Sequence, residues 1–245
     1  MGFLNIALVL AGGSGVRMGA STPKQFLEVL GKPVIVYTLE TLERAQCVDA
    51  VCVVSVAGYE DHVRRLIQEY GLAKARWVTM GGASFQESAR AGAYFLEGVA
   101  EPDDVVLMIM SVQPLVSEAL LEDSLRVCAE HGNAIAGREA IYNFSPVHEG
   151  GWSDSYTRKG GQLTLNLPWT FPLATLVSAY RRAESEGVGL GPFDYPPTML
   201  MDQGTRIWFS RDDVLSQIKM TTFDDLDLFE GYVRLRALRE STGGE

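Results

Sequence analysis

Apolar residues fall along this chain in two rhythms that take turns. Nearly unbroken apolar runs at 6–10 (IALVL), 50–56 (AVCVVSV) and 104–110 (DVVLMIM) read as buried parallel strands, because a strand covered on both faces has no polar side. Between them lie stretches that are apolar at every third or fourth position. One is 32–45, which begins at Pro33 and carries Val36, Leu39 and Leu42; the others are 58–71, closed by a glycine, then 84–99 and 117–131. These predict helices. Shorter strands are predicted at 75–80, ending at Gly81-Gly82, and at 134–137. A helix near 171–186, a polar loop, a strand at 206–210 and a final helix at 223–240 complete the reading. Strand–helix alternation of this regularity predicts an α/β fold, a doubly wound and mostly parallel sheet.

Residues 138–167 break the rhythm. They alternate in polarity, carry glycine pairs at 150–151 and 160–161, and predict an extended hairpin or arm. So long an excursion from a compact domain is expected to bind something, often a second subunit. There is no internal repeat, low-complexity tract or flexible linker. The expectation is a single domain, 1–245, with one protruding arm.

In a doubly wound sheet ligands bind at the carboxyl ends of the strands, so 11–17, 81–88 and 110–114 should converge. The first of these lies within LAGGSGVRMGASTPKQF (10–26). A dinucleotide fingerprint would need glycine where Met18 stands, and no Gly-Lys-Ser/Thr follows the glycines, so neither that motif nor a Walker A loop is present. A dinucleotide-dependent oxidoreductase is disfavoured. What remains is a loop whose exposed N–H groups can cradle anionic oxygens, with Arg17 and Lys24 close by. Composition alone equally allows a tight strand-to-helix turn with two solvated cations.

Composition narrows the partners. The chain has 245 residues, 47% of them apolar, and 21 Lys plus Arg against 31 Asp plus Glu give a net charge of −10. That balance argues against nucleic acid or an anionic membrane as partner. Cys47, Cys52 and Cys128 show no CxxC spacing, and His62, His131 and His148 are far apart, so the thiols read as reduced and no zinc pattern emerges. The first residues carry no basic leader, and their apolar run is too short to span a bilayer. A cytoplasmic protein is expected.

The motif as a whole is more specific than its parts. LAGGSGxRMG…PKQF resembles the nucleotide-binding signature of the cytidylyltransferases that act on 2-C-methyl-D-erythritol 4-phosphate and on D-ribitol 5-phosphate. GKPVIVYTLETL, GGASFQES (81–88), TRKGG (157–161) and QIKMTTFDDL (217–226) continue the resemblance in order along nearly the whole chain. The resemblance implies a Rossmann-like nucleotidyltransferase fold and the transfer of CMP from CTP to a sugar- or polyol-phosphate, with release of pyrophosphate. It implies that the backbone of Ala11, Gly12, Gly13, Ser14 and Gly15 wraps the CTP phosphates and that Gly82 and Ser88 meet the base. Arg17 and Lys24 would neutralise the triphosphate, Arg158 would reach the acceptor's phosphate from the arm of a partner subunit, and Lys219 would lie near the reacting groups. A homodimer formed through the arm is implied as well.

Against the family pattern, the aspartate that helps hold Mg²⁺ is Met110, and the arginine beside it is Gln113. The arginine of GGxxRxxS is Phe85, and the family's TPQ appears as Leu167-Pro168-Trp169. A thioether cannot replace a hard oxygen ligand for Mg²⁺. Asp212 or Asp213 would then be the substitute, with Asp213 the metal-ligand candidate, or Mg²⁺ would rely on the nucleotide's own phosphates. The acceptor pocket becomes more apolar and less cationic, with Trp169 and Tyr142 expected as an apolar wall and methylerythritol phosphate disfavoured as acceptor. The competing expectation is a catalytically impaired nucleotide-binding or interaction protein of the same fold.

Overall fold

The computed structural model describes residues 2–13, 22–191 and 194–242; Ser14, Gly15 and Arg17 lie outside them. The apolar run at the start forms β1 (Asn5–Ala11), which pairs in parallel with β4 (Ala50–Ser55) on one side and β6 (Val105–Met110) on the other. Being central in the sheet, β1 must be apolar on both faces, and it divides its residues between two cores. Ile6, Leu8 and Leu10 pack with Ala89, Ala93 and Leu96 of α3 (Phe85–Glu97) and with α5 (Leu173–Glu186). Ala7, Val9 and Ala11 pack on the opposite face with Ile35, Leu39 and Leu42 of α1 (Val34–Arg44), Val63 of α2 (Glu60–Glu69) and Leu120 of α4 (Glu118–His131). The period-two alternation of a strand thus distributes one apolar run over both helical layers.

The sheet has seven strands in the order β5-β4-β1-β6-β8-β7-β9, where β5 is Ala75–Met80, β7 Ala134–Glu139, β8 Leu163–Pro172 and β9 Phe209–Ser210. All pairings are parallel except those of β8, which runs antiparallel between β6 and β7. The doubly wound, mostly parallel sheet expected from the sequence is therefore present, with one reversed strand inside it.

That strand revises the arm. β7 continues to Glu139 and β8 begins at Leu163, so both ends of the 138–167 segment belong to the sheet, and the excursion is 140–162. It is a hairpin tied by Phe144–Thr157 and His148–Trp152 bridges. β8 escaped the apolar pattern because LTLNLPWTFP mixes polar residues with a proline, which gives no ladder N–H. The ladder accommodates it: β7 pairs Ile135 with Trp169 and then Ala136 with Asn166, skipping Leu167 and Pro168. On the other side the β6 ladder ends at Met108–Trp169.

Two further elements depart from the sequence reading. α6 (Pro196–Asp202), with prolines in its first turn, lies in the stretch read as a polar loop; proline there loses no helical hydrogen bond. The strand expected at 206–210 shrinks to β9. Upstream of it, the Asn133 side chain donates to Arg206 O at 3.0 Å and accepts from Trp208 N at 3.0 Å, doing the work of a ladder. The short strands β2 (Glu28–Val29) and β3 (Lys32–Pro33) form a hairpin turned by Leu30 and Gly31 at φ of 51° and 74°, and α7 (Phe223–Thr242) closes the chain. Among the described residues no helix is long and apolar enough to cross a membrane.

Candidate functional site

The carboxyl ends of β1, β5 and β6 meet where the sheet's winding changes direction, the position at which such sheets bind ligands. A cavity of about 220 Å³ opens there, lined by Leu10, Gly12, Gly13, Lys24, Phe85, Ser88, Met110 and Lys219 among others. All three converging segments expected from the sequence contribute to it.

Gly12 in its wall and Gly81 nearby are required by contact rather than by turn conformation. A Cβ on Gly12 would collide with the Ser88 hydroxyl, and one on Gly81 would stand 2.7 Å from the same oxygen and 3.1 Å from Ser55 O. Ser88 Oγ is in turn held by Ser84 O at 2.9 Å and accepts from Gly82 N at 3.2 Å. Ser84 caps α3 by accepting from Glu87 N at 3.1 Å. Gly12, Gly82 and Ser88 are therefore one packed unit joining the end of β1 to the start of α3. Gln25, fully buried, donates through Nε2 to Ala11 O at 2.7 Å. It ties both flanks of the glycine loop together, and only its place in PKQF pointed to it.

The two lysines arrive from opposite ends of the chain. Lys24 Nζ donates to Met220 O at 3.1 Å, while Met220 N donates to Val112 O at 3.1 Å. The segment carrying Lys219 is thus pinned both to the glycine-loop flank and to the end of β6. A capping box secures it from the other side. Thr222 Oγ1 accepts from Asp225 N at 3.3 Å, and Asp225 Oδ2 accepts from Thr222 N at 2.8 Å and from Thr221 Oγ1 and N at 2.7 Å. The Thr221 hydroxyl and these N–H groups hold the Asp225 carboxyl down at about 2.

A second cavity, of about 600 Å³, shares Met110 and Lys219 with the first and continues over Gln113, Asn166, Leu167, Trp169, Tyr195 and Gln217. It exists because the β6 ladder stops at Met108, so Met110 and the 165–167 segment stand apart. Phe85, Trp169 and Tyr195 form a three-ring cluster, with centroids 5.7, 5.2 and 5.6 Å apart. The substitutions at Phe85 and Trp169 are thus packed against each other. Tyr142, paired with Trp169 in the sequence reading, is instead on the excursion and 73% exposed. Tyr195 takes the place expected for it, and no motif marked it.

Arg158 and Asp213 are not brought to these cavities. Arg158 lies on the excursion, its guanidinium 5.5 Å from the Tyr156 ring centre. Asp213 lines a separate cavity with Arg44, Ser117 and Tyr232. Its Oδ2 accepts from Ser117 Oγ at 2.8 Å and its Oδ1 from Ser216 N at 2.7 Å. Burial pushes its carboxyl up, but the bonds from Ser216 and Ser117 outweigh that and hold it below the usual range. Asp213, expected as a metal ligand, thus lies off both cavities, its carboxylate accepting from Ser216 N in the Leu215–Gln217 turn. No carboxylate is among the described residues lining either cavity, and no group of three or more His, Cys, Asp or Glu gathers among the described residues. This donor set does not fit a protein-held Mg²⁺.

A doubly wound sheet whose carboxyl edge carries closely packed glycines and two lysines is the frame of a nucleotidyltransferase-type α/β protein. The chain belongs to the 2-C-methyl-D-erythritol 4-phosphate cytidylyltransferase (IspD) family, whose model matches residues 5–235. It is 35% identical over 232 residues to a ribitol-5-phosphate cytidylyltransferase of Lacticaseibacillus paracasei, covering 95% of this chain and 99% of that one. It is 32% identical over 234 residues to a 2-C-methyl-D-erythritol 4-phosphate cytidylyltransferase of Syntrophus aciditrophicus, covering 94% and 95%. In fold it resembles the crystal structure of the 2-C-methyl-D-erythritol 4-phosphate cytidylyltransferase of Thermus thermophilus. The TM-score is 0.72 at 20% identity, over 95% of this chain and all of that one.

The capping box sets a pH dependence. A carboxyl lowered in the folded state stabilises above its unfolded value and loses that contribution as pH falls through the folded one. Asp225→Asn is expected to lower the urea midpoint at neutral pH, and the deficit should shrink below about pH 4 and close near pH 2. A deficit constant over that range in urea titrations would contradict this role.

Proposed function

We propose that this chain transfers CMP from CTP to a polyol phosphate of the ribitol 5-phosphate kind, releasing pyrophosphate. The observation that carries the reading is that two cavities meet at Met110 and Lys219, one at the glycine strand end with Lys24 and one over uncharged residues. The first suits a nucleoside triphosphate and the second its acceptor, with the phosphates of both at the shared edge. Identity to a ribitol-5-phosphate cytidylyltransferase across nearly the full length supports the choice of acceptor.

In the reaction an acceptor phosphate oxygen attacks the α-phosphorus of CTP. A P–O bond forms, the bond from that phosphorus to the bridging oxygen breaks, and its electron pair leaves with pyrophosphate. An acceptor phosphate already ionised at neutral pH needs no general base. Lys24 and Lys219 neutralise the charge that gathers on the α-phosphate, and positioning plus such electrostatic stabilisation is most of what this chemistry asks of a protein. The N–H groups of Gly12 and Gly13 meet the triphosphate and the Gly82–Ser88 unit meets the base; Ser14, Gly15 and Arg17, outside the described residues, keep the triphosphate role that the family resemblance gives them. The donor set does not fit a protein-held Mg²⁺, and the Asp213 carboxylate is already engaged by Ser117 and Ser216.

The hairpin at 140–162 is proposed to join two copies. It exposes a run of large apolar side chains, including Tyr142, Phe144, Val147 and Trp152, a combination typical of a surface that another protein covers. Its Arg158 would then serve the partner's acceptor phosphate. Free thiols at Cys47, Cys52 and Cys128 suit the reducing cytoplasm proposed as its location.

Pyrophosphate release from CTP and ribitol 5-phosphate tests the reading. Lys24→Ala and Lys219→Ala should each cut turnover by about 100-fold or more; the thermal midpoint should stay near that of the parent for Lys219→Ala and fall for Lys24→Ala, which also loses the bond to Met220 O. CTP binding with no turnover of any polyol phosphate would instead favour a non-catalytic nucleotide-binding protein. For the arm, Val147→Glu is expected to convert a dimer to monomers in sedimentation velocity; a parent chain that sediments as a monomer would contradict the proposed pairing.

A further inference from the structure

We infer that Asp212 is a positioning residue: its carboxylate clamps the 212–219 segment across the gap between β6 and β8, and so sets how firmly the larger cavity holds the acceptor. The effect on the acceptor rests on the transfer reaction proposed above; the clamp itself does not.

Where neighbouring strands stay paired, backbone hydrogen bonds fix their separation at about 4.8 Å. Beyond Met108–Trp169 that constraint is gone, because the β6 ladder ends there and the β7 ladder passes over Leu167 and Pro168. Side chains take its place, and the 212–219 segment is what they hold. From the loop after β6, Gln113 Nε2 donates to Ser216 O at 3.2 Å. From the segment itself, Gln217 Nε2 donates at 3.4 Å to Leu167 O, on a residue in neither ladder's register.

Asp212 makes the strongest of these ties. Its Oδ2 accepts from Asn166 Nδ2 of β8 at 2.9 Å, and its Oδ1 accepts from Gln217 Nε2 at 2.5 Å. Both bonds end on a carboxylate, and charge-assisted bonds are about twice as strong as neutral ones. One half-buried side chain therefore joins β8 to the residue two places before Lys219. Its neighbours anchor elsewhere. Arg211 N donates to Asp123 Oδ2 of α4 at 2.8 Å, and Asp213 turns away to Ser117 and Ser216. The foot of the clamp is thus fixed on α4, and of these three residues it is Asp212 that reaches β8.

Alternation along the segment carries the effect to the cavity. Ile218 and Met220 pack with Val112 and Phe229, whereas Gln217 and Lys219 line the cavity, the period-two division of an extended chain. Past Lys219 the chain is already fixed by the bonds from Lys24 to Met220 O and from Met220 N to Val112 O. Loss of the clamp therefore leaves the nucleotide side in place and frees the side that faces Asn166 and Leu167. The cavity widens there, and a small acceptor is held less tightly.

Asp212→Asn, Asn166→Leu and the double variant test this. Asparagine keeps the size of the aspartate but sets an NH₂ against one of the two amide donors. In Asp212→Asn, hydrogen exchange should quicken at the Ser216 and Ile218 amides, which in the parent are bonded to Asp213 Oδ1 and Leu215 O. Calorimetry with ribitol 5-phosphate should show an affinity about ten-fold lower in each single variant. The double should fall no further than Asp212→Asn alone, because both changes break one clamp. CTP affinity should stay that of the parent, which a general loss of structure would not allow. Unchanged exchange, unchanged ribitol 5-phosphate affinity, additive losses, or an equal fall in CTP affinity would overturn the positioning role. The expected pattern of binding in a chain that shows no turnover would uphold that role and overturn the transfer reaction. A parent that binds no ribitol 5-phosphate would overturn the effect on the acceptor together with the choice of acceptor.

Discussion

The ladder between β6 and β8 ends at Met108–Trp169, and much of the site follows from that early stop. β8 runs against its neighbours, and around Leu167-Pro168 its pairing with β7 jumps forward as well. A fully zipped sheet would bring Met110 and Asn166 into adjoining rungs and leave no space between them. The proline makes complete zipping unattainable, since it has no N–H to offer. The gap becomes the larger cavity, and Met110, the last residue of β6, becomes the point where it joins the smaller one.

The electrostatics of the site depend on a second device, the way distant segments are pinned to one another. The chain carries a net charge of −10, yet Lys24 and Lys219 stand on one cavity because Lys24 reaches the Met220 carbonyl and Met220 reaches Val112. A local cationic pocket in an acidic protein repels anions at long range and holds them at short range. That combination suits a small anionic substrate better than a polyanionic surface. The loss of an aspartate at Met110 and of arginines at Phe85 and Gln113 removes one negative and two positive positions from the pattern of the family. In the proposed reaction the phosphate chemistry then rests on the remaining lysines.

Much of this was legible in the sequence. The central strands and the helices between them could be read because burial on both faces imposes unbroken apolar runs, and one-sided burial imposes helical spacing. The meeting of the segments at 11–17, 81–88 and 110–114 could be read because strand ends in such a sheet converge, whereas Lys24, Ser88 and Lys219 were expected there from the family resemblance. β8 was hidden by its polar residues and proline, and half of it was absorbed into the arm. β9 is shorter than the apolar pattern implies because the ladder to β7 begins only at Trp208 O, which accepts from Ile135 N at 2.9 Å. Arg206 O and Trp208 N are held by the Asn133 side chain, and the Trp208 ring stacks on His131 with ring centres 3.8 Å apart. Position within the family pattern does not fix the direction of the Asp213 side chain; Ser117 and Ser216 do. Asn166 and Gln217 carry no motif at all, and their orientation is set by Asp212, which only the folded chain brings between them.

The central claim is that nucleotide and acceptor occupy two cavities joined at Met110 and Lys219. A crystal structure with the CDP-linked product of ribitol 5-phosphate tests it most directly. The cytidine should lie against the Gly12–Ser88 unit, the diphosphate on Lys24 and Lys219, and the polyol in the cavity lined by Gln113, Asn166 and Gln217. A polyol directed elsewhere, or a diphosphate that touches neither lysine, would contradict it.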